Sequence, residues 1–156
     1  SLFLKKVGLV FPDMGLLWDR TVEENLKLFL HFHEDFHREA KEKVFRLLER
    51  VGLKGKETKK PADLSFGEQR AVVLVRALSA QPSLLIADEP FQGLDESVIE
   101  SFLALLEERR REGATLLLAT QDPQPIARWV SKNPEVFVQW VQLKDRRILP
   151  SEVPPC

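Results

Sequence analysis

The sequence holds a single cysteine, Cys156, at its last position. One thiol excludes an internal disulfide framework and fits a reducing compartment. Cys156 is expected to be a free thiol without a role. No uninterrupted apolar run approaches the roughly 20 residues that a bilayer-spanning helix needs. The opening residues 1–8 carry Lys5 and Lys6 within a short apolar stretch. They lack the longer apolar region and small-residue cleavage site of a signal peptide. No methionine begins the chain, so the expectation is a cytosolic polypeptide without its natural N-terminus. Charge of either sign is not in excess: 23 Lys and Arg stand against 24 Asp and Glu, a formal net charge of -1. Neither a basic footprint for nucleic acid nor an acidic solvating tail follows from that balance. Internal repeats and low-complexity segments are absent too.

What the sequence does have is enough apolar material for a core. Of its 156 residues, 44% are hydrophobic, which excludes wholesale disorder. The length suits one domain. Val7-Gly8-Leu9-Val10-Phe11, ended by Pro12, predicts a buried strand, and Pro12-Asp13-Met14-Gly15 a turn. Thr21-Val22-Glu23-Glu24 fits a capping box, with a helix following to about Phe32. A second helix starts near Glu34 and places Val44, Leu47, Leu48 and Val51 on one face before Gly52 stops it. A third spans residues 67–80, with Val72, Val73, Val75, Ala77 and Leu78 inside. The basic stretch 54–60 predicts a solvated connection. Leu84-Leu85-Ile86-Ala87 and Thr115-Leu116-Leu117-Leu118-Ala119 predict strands buried on both faces, as in parallel sheets. The helix over 98–112 between them completes a βαβ unit, so the class is α/β. Pro123 and Pro125 open a short helix containing Trp129. Residues 136–143 and 147–149 predict a hairpin turning at Lys144-Asp145-Arg146.

Three clusters carry chemistry. Leu64-Ser65-Phe66-Gly67-Glu68 opens the third helix. A hydroxyl and free backbone N–H groups there suit an anion, though Ser65 can equally be an ordinary N-cap. Asp88 and Glu89 follow an apolar strand, where α/β sheets place their ligands. Asp88 suits Mg²⁺, which takes few carboxylates alongside phosphate and water. Glu89 can orient or deprotonate an attacking water, or the pair can be a plain polar junction. Gly93-Leu94-Asp95 alone is a turn.

Taken in order, Leu-Ser-x-Gly-Glu, an apolar strand ending Asp-Glu-Pro, and Gly-Leu-Asp resemble the ATP-binding cassette (ABC) ATPase family. In that family these are the signature motif, the Walker B strand with its catalytic glutamate, and the D-loop. Arg76-Ala77-Leu78 and Gln81-Pro82 fit the same pattern. Residues 7–11 resemble the strand before the Q-loop, and 16–25 the approach to the helical subdomain. The resemblance covers residues 7–149.

The resemblance implies a partial P-loop NTPase domain. Its helical signature subdomain spans about 16–80, and residues 1–12 and 81–156 form the remaining core. It implies an ATPase subunit driving a membrane transporter, peripheral on the inner face of the cell membrane, with a membrane subunit and a second ATPase subunit as partners. Mg²⁺ with ATP is the implied cofactor. Ser65, Phe66, Gly67 and Glu68 face the partner's nucleotide, Asp88 serves Mg²⁺, Glu89 is the general base, and Asp95 links the two sites. The segment 16–52 meets the membrane subunit. Glu89-Pro90-Phe91-Gln92-Gly93 and Leu16-Leu17 also look somewhat like lipid-trafficking or organic-solvent-resistance importers.

The sequence departs from the family in four places. No Gly-x-x-x-x-Gly-Lys-Ser/Thr occurs, so the loop that cradles phosphates with backbone N–H groups and a lysine is not in these residues. Pro12 stands for the Q-loop glutamine and Phe66 for a common second glycine. Gln121 stands for the switch histidine; it can hydrogen-bond a phosphate but cannot become cationic. The isolated polypeptide is therefore expected neither to bind ATP tightly nor to hydrolyse it. Two other readings remain: a degenerate, non-catalytic partner that lends its signature in trans, and an ABC ATPase outside transport. His33 and His37, four apart, suggest a metal pair only weakly, and Trp18, Trp129 and Trp140 are expected to pack. Arg109-Arg110-Arg111 is expected on a solvated helix end.

Overall fold

The computed structural model describes residues 7–13, 15–31, 38–136, 138–144 and 147–151. The chain divides after Ala119 into two compact units, each taken here by itself.

In the first unit, β1 (Val7–Val10) leads to three helices, α1 (Val22–His31), α2 (Arg38–Arg50) and α3 (Phe66–Ser79). Then follow β2 (Leu84–Asp88), α4 (Glu96–Arg111) and β3 (Thr115–Ala119). The strands form one parallel sheet in the order β1-β2-β3. Parallel neighbours need a crossover: α1 to α3 connect β1 to β2, and α4 connects β2 to β3. This is the α/β architecture that the alternation of apolar runs predicts.

Register sorts the side chains. Gly8, Val10, Leu85 and Ala87 share one face with Leu116 and Leu118; Val7, Leu9, Leu84, Ile86, Thr115 and Leu117 share the other. The first face lies under α3: a Cβ at Gly8 would stand 2.9 Å from the Ala77 carbonyl oxygen. Val10, Leu85 and Ala87 are buried there. The described residues leave the second face open. Leu9 and Leu117 are exposed, and Leu84 and Ile86 are only half-buried. The expectation of strands covered on both faces therefore fails. A run of consecutive apolar residues cannot report which of its two faces finds a layer.

Helix α3 is the hub, with α1 and α2 both packed on it. Its residues from Arg70 to Val75 are all buried. Val44, Leu48 and Val51 of the α2 stripe are buried as its spacing predicts. The Thr21 capping box forms: the Glu24 carboxylate accepts from the Thr21 N–H at 2.8 Å, and Thr21 Oγ1 accepts from the Glu24 N–H at 3.2 Å. Asn25, 3% exposed, holds the loop before α1. Its Oδ1 accepts from the Leu17 N–H, and its Nδ2 donates to the carbonyls of Leu17, Arg20 and Thr21. The segment 54–60 is not merely solvated: the Glu57 and Lys59 carbonyls accept from the first N–H groups of α1.

Two more expectations are corrected. Trp18 is 60% exposed rather than packed. Arg109 is not on a solvated end: it donates to the Pro82 carbonyl and pairs with Glu112. In α4, Phe102 is fully buried and meets Phe91 edge-to-face at 6.1 Å.

The second unit holds α5 (Gln124–Lys132) and an antiparallel hairpin of β4 (Trp140–Lys144) and β5 (Arg147–Ser151). The first hairpin strand starts four residues later than the apolar pattern suggests. The turn residues Asp145 and Arg146 lie outside the described residues, as do Phe32, Glu34, His33 and His37.

Candidate functional site

β2 ends on Asp88, half-buried at the carboxyl edge of the sheet. The next residue, Glu89, takes φ = 47°, a left-handed conformation that costs a side-chain-bearing residue about 1 kcal/mol or more. Its N–H donates to the Ala119 carbonyl of β3 at 2.8 Å, and its own carbonyl accepts from the Gln92 N–H at 3.3 Å. The chain then turns through Gly93, where φ = 75° is free of strain, and reaches Asp95. Asp95 is the N-cap of α4 by backbone position: its carbonyl accepts from Val98 and Ile99, while its side chain makes no capping bond. That exposed carboxylate is left for other contacts.

Ser65 caps α3. Its Oγ accepts from the Glu68 N–H at 3.2 Å, and the Glu68 carboxylate accepts from the Ser65 N–H at 2.9 Å. Lys56 pairs with the same carboxylate at 3.1 Å. These partners, the Ser65 N–H foremost, hold the Glu68 carboxyl below its usual range. Ser65 is thus the ordinary N-cap of the conservative alternative, and Glu68 is already engaged within its own chain.

The first and third clusters, far apart in sequence, touch. A Cβ on Gly67 would lie 2.7 Å from the Gly93 carbonyl oxygen, and one on Gly93 would lie 2.6 Å from the Phe66 ring. Only two glycines allow this approach. Phe66, 51% exposed, covers the Gly93 turn.

Arg70 joins the second cluster to this surface and was not singled out from the sequence. It is fully buried. Its Nη1 donates to the Phe11 carbonyl at 2.8 Å; its Nη2 donates to the carbonyls of Asp88, at 2.9 Å, and Glu89. Burial pushes its pKa down, against the opposing pull of the Asp88 and Glu89 charges. The available signal was an arginine directly before the apolar run Ala71–Val75 of the same helix.

Gln121 lies in the second unit and is exposed. Around it, the Asp122 N–H donates to Thr120 Oγ1 at 3.1 Å and the Asp122 carboxylate accepts from the Gln124 N–H at 3.0 Å, opening α5. Pro12 sits in the exposed turn after β1. Among the described residues no group of three or more His, Cys, Asp or Glu side chains could hold a metal ion. No helix among them is long and apolar enough to cross a membrane.

Comparison with known proteins agrees with this arrangement. Residues 1–92 match the family model described as ABC transporter. The cell division ATP-binding protein FtsE of Escherichia coli is 39% identical over 124 residues, covering 80% of this chain and 56% of FtsE. An uncharacterized ABC transporter ATP-binding protein of Bacillus subtilis, YvrO, is 37% identical over 119 residues, covering 76% of this chain and 52% of YvrO. The ATP-binding cassette MJ0796, solved as a dimer bound to ADP and Pi, superposes with a TM-score of 0.69 at 30% identity, over 77% of this chain and 54% of that one. An ATP-binding subunit of an ABC transporter does so with a TM-score of 0.75 at 29% identity, over 80% of this chain and 52% of that one. None of these four names a lipid or solvent cargo. The chain spans about half the length of the relatives it matches. With the family model matched over residues 1–92, more than half of its length, the chain belongs to the ABC transporter ATP-binding family.

Proposed function

We propose that the chain is part of an ATP-binding subunit that energises a membrane transporter. The observation that carries this is the contact of the Ser65–Gly67 and Gly93–Asp95 segments beside the carboxyl end of β2, where Asp88 and Glu89 stand. Asp88 offers hard oxygen donors at a strand end. A magnesium ion takes one or two protein carboxylates and keeps phosphate and water in the rest of its shell. When bound, Mg²⁺ with ATP supplies the phosphoryl group and neutralises its charge. Asp88 would hold the metal, and Glu89 would accept the proton of the attacking water. Ser65 and Gly67 present a hydroxyl and backbone N–H groups to a second subunit's nucleotide, and Phe66 shields that contact from water. The Asp95 carboxylate reaches across the dimer, and the side-chain amide of Gln121 is able to hydrogen-bond a phosphate oxygen. The exposed Leu17 and Trp18, on a loop fixed by Asn25, support docking of a membrane subunit on segment 16–52. Such docking makes the chain peripheral to the inner face of the membrane.

A second reading has its own observation. Without Gly-x-x-x-x-Gly-Lys-Ser/Thr in these residues, the chain can act as a non-catalytic partner that lends Ser65 and Gly67 in trans. Mixing the chain with a homologous full-length cassette whose own signature is disabled tests both. Restored ATP hydrolysis supports donation in trans, and no restoration overturns it. Ser65→Arg is expected to abolish the restoration. Glu89→Gln leaves it intact if the partner supplies the base, and removes it if Glu89 serves a nucleotide held by this chain. Calorimetric titration of the isolated chain with Mg-ATP is expected to give no tight binding; micromolar affinity would overturn that expectation.

A further inference from the structure

We infer that Arg70 is a positioning residue: its buried guanidinium fixes the backbone on both sides of Glu89 and ties that residue to the signature helix. The reasoning rests on the role proposed for Glu89. The backbone angles of a residue are set by the orientation of its two flanking peptide planes. At Glu89 both planes are pinned. The Asp88 carbonyl accepts from Arg70 Nη2, and the N–H of the same peptide unit donates to Ala119. The Glu89 carbonyl, on the other plane, accepts from the same Nη2. One donor group thus grips both planes around a left-handed residue, the surrounding over-determination such a conformation needs.

The side chain is also a costly one for filling space. It is fully buried with its Nε unpaired among the described residues, and its hydrogen bonds go to carbonyl dipoles rather than to a carboxylate. An apolar side chain of similar volume would avoid that desolvation. What it would lose is the fork, whose Nη1 reaches Phe11 at the end of β1 while Nη2 reaches the turn after β2. Because Arg70 lies on α3, a displacement of the Ser65–Gly67 end is transmitted to Glu89 without passing through solvent.

The test compares the chain with its Arg70→Lys and Arg70→Met variants by amide hydrogen exchange and backbone chemical shifts. In Arg70→Met, exchange at Glu89 and Gln92 is expected to quicken about tenfold more than at Ile99 in α4, and the Glu89 shifts to leave the left-handed range. Arg70→Lys, whose donors all sit on one nitrogen and cannot span β1 and the turn after β2 as the fork does, recovers only part. Exchange altered uniformly along the chain, or not at all, overturns the inference and leaves Arg70 a packing residue. Should Arg70→Met fail to fold, the native chain decides: slowly exchanging, resolved Nη protons support the grip, and rapid exchange overturns it. Failure of the signature-disabled mixture to regain ATP hydrolysis bears on the proposed function alone, since the exchange data do not depend on nucleotide.

Discussion

Gly67 and Gly93 look alike in sequence, but their close contacts differ in kind. The atom facing Gly67 is a backbone oxygen, the Gly93 carbonyl, 2.7 Å from where a Cβ would stand; the atoms facing Gly93 belong to the Phe66 side chain, 2.6 Å from where its Cβ would stand. A ring that is half exposed can rotate away, whereas a carbonyl in a turn moves only with its chain. Gly67→Ala is therefore expected to cost about 1–3 kcal/mol by overpacking. Gly93→Ala carries the separate cost of φ = 75°, on the order of 1 kcal/mol. In a Phe66→Ala background the cost of Gly93→Ala should fall towards that backbone share, while that of Gly67→Ala stays unchanged. Denaturant melts of the two double-mutant cycles read this directly. Equal coupling to Phe66 in both cycles would contradict the geometry.

At the scale of elements, the helix starts were legible because caps are local. Thr21 with Glu24 announces α1 and Ser65 as N-cap announces α3; the first box forms, and the structure adds Glu68 to complete a second one at Ser65. Ser65→Ala is expected to lower stability by about 1 kcal/mol, measured by thermal or denaturant unfolding. What was not legible is which polar group each side chain selects, whether a near neighbour in the helix or a backbone carbonyl. The three arginines closing α4 read as a solvated cluster, yet Arg110 and Arg111 both grip the nearly buried Glu107, and Arg109 turns to the Pro82 carbonyl. The guanidinium of Arg110, then that of Arg111, holds the Glu107 carboxyl below its ordinary value of 4.5. The unfolded chain therefore takes up this proton first as pH falls. The stabilisation is complete above pH 4.5 and is lost as pH drops through the lower folded value. Melting temperature is expected to fall in that acid range, and Glu107→Gln to remove part of the slope at a cost of about 1 kcal/mol near neutrality. An unchanged acid slope in the variant would assign the loss to other carboxylates. Arg70 and Asn25 escaped sequence reading for the same reason, since their partners are backbone carbonyls that a sequence does not display.

For the first unit as a whole, the decisive fact is a sheet with one face covered. Leu9, Ile86 and Leu117 pair directly across the three strands and form a continuous apolar row on the uncovered face. Leu117 is 56% exposed at its end. Contiguous apolar surface of this kind is unstable in water and drives association, and β3 is also an edge that can accept another strand. The chain is expected to self-associate at micromolar concentration, or to need a complementary segment laid on this face. Position decides what a substitution does here. Leu85 and Ile86 are neighbours, but Leu85 points under α3 and is almost fully buried. Leu85→Ala should cost about 2–5 kcal/mol and leave association unrelieved or worse. Leu117→Lys, on the open face, should cost far less and shift the sedimentation profile towards monomer, because a charge there opposes both face stacking and edge pairing. A wild-type chain that sediments as one monodisperse monomer and melts in a single cooperative transition would show that the open row is tolerated in water, and the expected contrast between the two variants would then vanish from the sedimentation data.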